Sequence, residues 1–345
     1  MDRFLTKDEL REALDRIAPT VEFFAPAAEG GRVLFRRIKS FREIASGYVN
    51  STLSPKEIFF PPSEPILRFE RVAQTVQIHP VKLPTEEKII WGIHPCDARG
   101  FLFLDKVFGG EFKDEFYLAR RRSTLLVAEL CNQPDRACFC ISMGGSPALV
   151  EGVDAFFFSE GDSLWLRLLT ARGEALLGGL GKETTDFEGK LSEFRKTAES
   201  RLEKRCRTTH YLASGFGDDY WQVVSLSCIG CGVCAAVCPT CHCFDICEEK
   251  DRRLRVWDTC CSKHFTRMAS GENPRFLQTE RFRQRVFHKF DYFRRLHGVD
   301  LCVGCGRCIR MCPVKLDIAE VVSKAPIKEE KPETCKISTS QVCGR

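Results

Sequence analysis

The pattern of apolar and polar residues divides the chain into two regions, which differ in the secondary structure that they predict. In the first region, up to about residue 210, short apolar runs predict strands at 88–93, 124–130, 154–158 and 164–168. Residues 97–108 have apolar positions at helical spacing, with Asp97 placed as an N-cap. The order strand, helix, strand predicts a parallel pair joined by a right-handed crossover. Residues 187–207 predict a polar connecting helix.

From about Tyr211 the pattern changes to cysteine-rich, basic, helix-compatible sequence in which no strand is predicted. Residues 279–300 have Phe282, Val286 and Phe290 at helical spacing and so predict a helix. We therefore expect domains at 1–210 and 211–322, followed by a polar tail at 323–345 that holds Cys335 and Cys343.

Composition narrows the class of protein. The chain has 345 residues, a formal net charge of +5 and twenty cysteines. It has no apolar run long enough for a membrane span, and its first residues read as a capped helix, with Thr6 and Glu9 as a capping box, and not as a signal peptide. A cytoplasmic location is expected, where disulfides are rare and numerous thiols usually hold metal.

Two cysteine runs, beginning at Cys228 and Cys302, have the complete spacing C-x2-C-x2-C-x3-C-P. In bacterial ferredoxins this spacing holds [4Fe–4S] clusters, and the fourth cysteine of each run ligates the other cluster. Glycines between the ligands allow the backbone to approach the sulfur atoms. Structural zinc is the alternative, but zinc sites use four ligands in two pairs instead of two complete runs.

The crossed arrangement assigns the cysteines to two [4Fe–4S] clusters. The first cysteine set is Cys228, Cys231, Cys234 and Cys312, and the second cysteine set is Cys302, Cys305, Cys308 and Cys238. The expected fold class is an α/β N-terminal domain with a partly parallel sheet, followed by a mainly α-helical dicluster ferredoxin domain.

A third cysteine set lies in the first region: Cys96, Cys131, Cys138 and Cys140. If strands 88–93 and 124–130 are parallel, Cys96 and Cys131 follow their carboxyl ends at the same sheet edge, where open α/β sheets bind ligands. These four thiols could hold a third [4Fe–4S] cluster; buried core cysteines are the alternative.

Further cysteines follow the first run closely. Cys241 and Cys243, together with Cys260, could form an additional metal site, although buried thiols that pack beside the clusters are an equal alternative. The helix predicted at 279–300 is rich in Arg and Lys. Its charge could offset anionic clusters, dock an acidic redox partner or simply face solvent; nucleic acid is not expected as a ligand.

Several longer motifs together resemble one family. They are "IIWGIHPCDARGFLFLDKVF", "CNQPDRACFC", "CIGCGVCAAVCPTCHCFD", "RVWDTC", "NPRFLQTERFRQRVFHKF" and "CVGCGRCIRMCPV". The chain resembles the iron–sulfur beta subunit of cytosolic sulfhydrogenases and the corresponding iron–sulfur subunit of anaerobic sulfite reductases, from about residue 54 to Val314. The resemblance implies that all three cysteine sets, and Cys241, Cys243 and Cys260, recur in relatives. Relatives often carry Gly-His-Asn where this chain has Gly271-Glu272-Asn273.

The resemblance also implies a function. Such subunits relay electrons between a flavin subunit that uses NAD(P)H and a separate catalytic subunit of an anaerobic oxidoreductase complex, which could be a hydrogenase, a sulfite reductase or a heterodisulfide-reductase-like complex. We therefore expect an electron-transfer subunit of a hetero-oligomer. The alternatives are a stand-alone reductase with a catalytic cluster or thiol, and a structural zinc protein.

Overall fold

The computed structural model describes residues 1–206 and 212–326. The predicted tail cysteines, Cys335 and Cys343, lie outside the described residues. The strands are β1 (Asp2–Thr6), β2 (Glu22–Glu29), β3 (Arg32–Arg37), β4 (Ser63–Val72), β5 (Thr75–Pro80), β6 (Lys88–Ile93), β7 (Thr124–Glu129), β8 (Ala155–Glu160), β9 (Ser163–Leu168), β10 (Lys182–Glu183), β11 (Phe244–Glu249) and β12 (Arg252–Trp257).

The helices are short and lie in both regions of the chain. They are α1 (Lys7–Ile17), α2 (Pro95–Phe108), α3 (Glu115–Ser123), α4 (Ala171–Leu177), α5 (Phe187–Glu199), α6 (Tyr220–Ser225), α7 (Val233–Ala236), α8 (Gln278–Phe287), α9 (Phe293–His297), α10 (Arg307–Arg310) and α11 (Ile318–Lys324). Among the described helices, none is long and apolar enough to span a bilayer.

An eight-stranded mixed sheet forms the N-terminal region, in the order β10-β1-β9-β8-β7-β6-β2-β3. Its centre is parallel, because β6 pairs in parallel with both β2 and β7, and β7 with β8. The predicted parallel pair and crossover helix are therefore confirmed. The strands β8 and β9 form an antiparallel hairpin. Apolar residues cover both faces of the sheet: Ile90 and Leu126 enter one core, and Ile89 and Leu125 the other.

Two local predictions about helix starts have different outcomes. The capping box of α1 is present, since the Thr6 side chain accepts from the Glu9 N–H and the Glu9 carboxylate accepts from the Thr6 N–H. Asp97 is not an N-cap, and that prediction is wrong. The helix α2 begins at Pro95, whose ring already fixes a helical φ at the first position. The buried Asp97 carboxylate turns instead toward Arg307.

A second sheet joins the two regions of the chain. Its order is β11-β12-β4-β5, so β12 pairs antiparallel with β4 across about half of the sequence. The expectation of no strands beyond residue 211 is therefore wrong. The hairpin β11–β12 escaped prediction because half of its residues are charged, few are buried, and its pairing partner is distant in sequence.

The predicted basic helix is present over residues 278–297. It consists of α8, a π-helical turn at His288–Tyr292, and α9. Phe282, Val286 and Phe290 enter a core with Trp221 of α6 and with α11. The cysteine-rich loops pack against the same core, through Cys228, Cys302 and Cys308.

Candidate iron–sulfur centres

The first cysteine set surrounds one pocket. Cys228, Cys231 and Cys234 of the first run and Cys312 of the second run all line it. The rest of its wall is mainly apolar and includes Ile229, Phe282, Val286 and Ile318. Four thiols that converge on an apolar pocket are the donor set that a cubane of iron and sulfide requires, so the residues present fit the predicted group.

Hydrogen bonds to the sulfur atoms match this role. The Leu316 N–H donates to Cys312 Sγ at 3.2 Å, and the Gln278 amide donates to Cys228 Sγ at 3.3 Å. In the second set, the Gly304 N–H donates to Cys302 Sγ at 3.4 Å. Donors aimed at sulfur stabilise thiolates, which are the form that binds iron.

The two cysteine runs adopt the same backbone conformation. Gly230 and Gly232 have φ of 69° and 74°, and the corresponding Gly304 and Gly306 have 67° and 73°. In each run the second glycine caps a one-turn helix, α7 or α10. Glycine is required at Gly304 for a second reason, because a Cβ there would lie 2.6 Å from the Cys140 nitrogen.

Cys238, the last cysteine of the first run, is close enough to the second set to affect the pKa values of its thiols. The Cys302 pKa is raised well above its usual value by burial and then by the Cys308 and Cys238 thiolates. Burial, with Cys305 and Cys238 nearby, raises the pKa of Cys308 to about 12. The ligand exchange predicted from ferredoxins is thus compatible with this geometry. Cys234 of the first set also adjoins Cys308, so the two sets are neighbours.

The third cysteine set is brought together beside the second. Burial and then Cys138 raise the pKa of Cys131 to about 12, and Cys140 contributes as well. The pKa of Cys96 is raised mainly by burial. Asp97 and Cys305 raise it further, and Cys131 makes a smaller contribution. The Cys138 thiol lies 3.9 Å from the Cys305 carbonyl oxygen. The N-terminal thiols are thus close enough to influence one another, and Cys138 adjoins a member of the second set; a third cluster at this place stays a prediction.

Two of the remaining thiols, Cys241 and Cys243, each lie beside another cysteine. The Cys241 thiol donates to Cys238 and lowers the Cys238 pKa well below its usual value. A bond from Cys260 likewise lowers the pKa of Cys243. Within residues 1–206 and 212–326, no three His, Cys, Asp or Glu side chains are arranged around a single metal ion. The extra site at Cys241, Cys243 and Cys260 stays a prediction.

Three buried cations, which the sequence reasoning did not single out as a group, face these thiols. Lys56, Arg285 and Lys289 are each at most 5% exposed, and among the described residues none of them pairs with a carboxylate. The Arg285 guanidinium donates to Cys241 Sγ at 3.3 Å, and Lys289 Nζ donates to Thr240 Oγ1 at 2.7 Å. Lys56 Nζ donates to the Cys241 carbonyl oxygen at 2.9 Å.

Such an arrangement requires nearby negative charge, because burying unpaired cations is costly. Burial lowers the pKa of Arg285, but the electrostatic effect of nearby cysteine sulfur atoms, Cys234 and Cys241 first, outweighs burial and raises that pKa well above its usual value. Of the uses predicted for the basic helix, charge compensation is the one that Arg285 and Lys289 fit. The sequence does contain a sign that these two cations are buried. Arg285 and Lys289 are four residues apart and so share one helix face, beside the apolar Phe282 and Phe290.

A buried ion pair fixes the second run against the N-terminal region. The Arg307 guanidinium makes two bonds of 2.8 Å to the Asp97 carboxylate, and both side chains are 1% exposed. Its Nε also donates to the Ser51 carbonyl oxygen at 2.7 Å. Since Asp97 follows Cys96 directly, this pair holds the second and third cysteine sets side by side.

Comparison with known proteins agrees with this geometry. Residues 227–316 match the family model of the 4Fe-4S dicluster domain. The chain is 29% identical over 325 residues to the sulfhydrogenase 2 subunit beta of Pyrococcus furiosus. The aligned region covers 91% of this chain and 95% of that protein. No solved structure matches. The resemblance to the iron–sulfur beta subunits of sulfhydrogenases is thereby confirmed, and residues 227–316 of the chain form a 4Fe-4S dicluster domain.

Proposed function

We propose that this chain relays electrons between a flavin subunit that uses NAD(P)H and a separate catalytic subunit of an oxidoreductase complex. The observation that supports the proposal is the pocket lined by Cys228, Cys231 and Cys234 of the first run together with Cys312 of the second run. When bound, cysteine-ligated [4Fe–4S] clusters supply one-electron transfer at potentials set by their surroundings.

The protein's own residues would hold and insulate these groups. The first and second sets would bind one cluster each, and the third set, at Cys96, Cys131, Cys138 and Cys140, would bind another. Lys56, Arg285 and Lys289 would offset their negative charge inside the protein, where water cannot. The sets are neighbours, since the Cys305 carbonyl oxygen lies 3.9 Å from the Cys138 thiol of the third set and Cys308 lines the pocket of the first set. Neighbouring ligand sets suit a relay.

The partners are also part of the proposal. The relative from Pyrococcus furiosus is named a subunit, and we infer that this chain, too, works in a hetero-oligomer. The cytoplasmic location and the division into domains at 1–210 and 211–322 stay predictions.

Anaerobic purification followed by iron analysis tests the cluster content. Two cubanes require about eight iron atoms per chain, and a third raises the number to about twelve. Broad visible absorption near roughly 400 nm that bleaches on reduction is expected from cysteine-ligated iron. A colourless protein that holds zinc in the same cysteines would contradict the proposal.

One cleft favours a second candidate function, a stand-alone reductase. It lies at the carboxyl ends of β6 and β7, and Tyr48, His94 and Glu129 are among the residues that line it. Tyr48 stacks on His94 with ring centroids 5.2 Å apart. His94 and Glu129 each stand two residues from a third-set cysteine, although the residues that line the cleft include none of those cysteines. Turnover of a substrate by the isolated chain with an artificial electron donor would support this candidate over the relay.

A further inference from the structure

Glu129 places a carboxylate on an otherwise apolar face of the large sheet. Because side chains alternate between the two faces of a strand, Glu129 shares a face with Leu125 and Val127 of β7. These two residues lie in a core with Trp91 and Phe157 of the neighbouring strands. A carboxylate that is partly buried beside such a core costs stability unless another group binds it. Its presence at this place therefore indicates a function.

Glu129 has no partner within the part of the chain that the structure describes. No side chain or backbone N–H donates to its carboxylate, and no described cation offsets its negative charge. The nearby basic groups are engaged elsewhere. Lys7 pairs with the exposed Asp162 at 3.5 Å, and the His94 ring stacks on Tyr48. The carboxylate is thus left for a group that the chain itself does not supply.

A bulge in the neighbouring strand lies beside this carboxylate. The pairing of β6 with β7 shifts register between Trp91 and Ile93, and Gly92 has φ of 76°. A Cβ on Gly92 would lie 3.9 Å from Glu129 Oε2. The Tyr48 hydroxyl donates to the Gly92 carbonyl oxygen at 3.4 Å. Bulges of this kind are frequent beside functional sites, because they redirect side chains near the end of a strand.

The cleft that Glu129 lines has mainly apolar walls. We call it the strand-end cleft, because it lies at the carboxyl ends of β6 and β7, where open α/β sheets bind ligands. Its apolar lining residues are Leu10, Phe41, Ile44, Trp91, Phe157 and Leu164. Ligand sites typically combine such walls with a few polar groups that fix the orientation of the ligand. An unpartnered carboxylate in this setting suits a molecule with an apolar body and a positively charged N–H group.

We propose that the strand-end cleft binds a small organic cation, an amidinium or ammonium group on an apolar body, through Glu129. The cation would donate hydrogen bonds to the carboxylate oxygens, and the apolar body would lie against Phe41 and Ile44. Such a ligand supplies the counter-charge that a partly buried carboxylate requires. This inference goes beyond the proposed relay, because it involves no electron transfer and does not require a cluster at the third cysteine set.

Isothermal titration calorimetry with benzamidine tests the proposal on the iron-loaded chain under anaerobic conditions. Benzamidine is a flat amidinium whose paired N–H groups match a carboxylate, and benzyl alcohol is an uncharged probe of similar size. The unaltered chain should bind benzamidine at least about tenfold more tightly than benzyl alcohol. Glu129→Gln retains the shape of the side chain but removes its charge. It should weaken benzamidine binding by about tenfold or more, the effect of losing a charge-assisted hydrogen bond.

Glu160→Gln is the matched control, because Glu160 ends the neighbouring strand β8 but is exposed and does not line the strand-end cleft. It should leave the affinity for benzamidine unchanged. Equal affinity of Glu129→Gln and the unaltered chain would overturn the proposal, and so would the absence of benzamidine binding to the unaltered chain.

Urea unfolding without the probe separates ligand binding from a structural role. Glu129→Gln should be at least as stable as the unaltered chain, because it removes a partly buried charge that has no partner. Saturating benzamidine should raise the stability of the unaltered chain and not that of Glu129→Gln. If Glu129→Gln were clearly less stable without the probe, the carboxylate would be a structural group and the proposal would be wrong.

Discussion

At the scale of single residues, unpaired positive charge inside the protein is the feature with the clearest consequence. Lys289 is buried, has no carboxylate partner among the described residues, and contacts Thr240 between Cys238 and Cys241. Burial lowers the pKa of Lys289, but the electrostatic effect of the Cys238 and Cys241 sulfur atoms outweighs burial and raises that pKa above its usual value. A fixed cation at this place favours the more negative, reduced form of any iron–sulfur group that Cys238 holds.

Lys289→Met should therefore lower the reduction potential of one cluster. A loss of on the order of 1 kcal/mol of electrostatic stabilisation corresponds to roughly 40 mV for a one-electron couple. Redox titration followed by electron paramagnetic resonance measures this shift. Lys263→Met, which removes an exposed lysine, is the control and should change nothing. Equal potentials in both variants would show that Lys289 does not tune the cluster.

Arg307→Met should destabilise the folded protein by about 3–5 kcal/mol, because the buried Asp97 carboxylate would lose its counter-ion. Urea unfolding under anaerobic conditions measures the change. The double variant Arg307→Met with Asp97→Leu removes both charges and should recover much of the stability. If the double variant were as unstable as the single one, the pair would matter for shape and not for charge.

At the scale of elements, the two cysteine runs repeat one design, a left-handed glycine followed by a one-turn helix. The second run is also pressed against the loop that carries Cys138 and Cys140, with the Phe139 N–H donating to the Gly304 carbonyl oxygen at 2.8 Å. Gly304 thus has two roles: it adopts the positive φ of the turn, and it allows the backbone at Phe139 and Cys140 to approach closely.

Gly304→Ala should reduce both stability and iron content, since its Cβ would collide with the backbone at Phe139 and Cys140. Gly298→Ala is a matched control. Gly298 has a similar φ of 74° but open space around its Cβ position, so only the backbone cost of about 1–2 kcal/mol applies. Iron analysis and thermal unfolding compare the two variants. Similar losses in both would mean that close packing at Gly304 is unimportant.

A strand or helix could be predicted from the sequence where the pattern of its own residues determines its structure. β6 and β7 are buried on both faces and therefore read as unbroken apolar runs. β12 carries three arginines among its six residues and obtains its partner from β4, so its local sequence carries no such signal. Cysteine spacing predicted the members of the candidate sites. It could not predict Lys56, since its place beside Cys241 depends on the tertiary fold.

At the scale of the whole molecule, the sheet edge of the N-terminal region and the dicluster domain meet through their cysteines. Arg310 donates to the Asp135 carboxylate at 2.8 Å and to the Cys305 carbonyl oxygen at 2.7 Å, beside Cys138. These contacts make the third cysteine set part of the same assembly as the second.

Cys131→Ala should remove about four of roughly twelve iron atoms per chain while leaving the other clusters in place. The reason is that Cys131 belongs to the third set alone. Cys247→Ala is the control, because Cys247 lies on β11 outside every set. Iron content and visible absorption of the anaerobic proteins provide the measurement. An unchanged iron content in Cys131→Ala would mean that the third cysteine set binds no iron–sulfur cluster.

The sheet that joins β12 to β4 has a consequence for the order of events during synthesis. The hairpin β4–β5 leaves the ribosome about 180 residues before β12 does, which at about 5–20 residues per second leaves its edge unpaired for roughly 10–40 s. Cys312 is made later still. A nascent chain would therefore carry open strand edges and reduced thiols together, and iron delivery would be productive only after almost the entire protein has been translated.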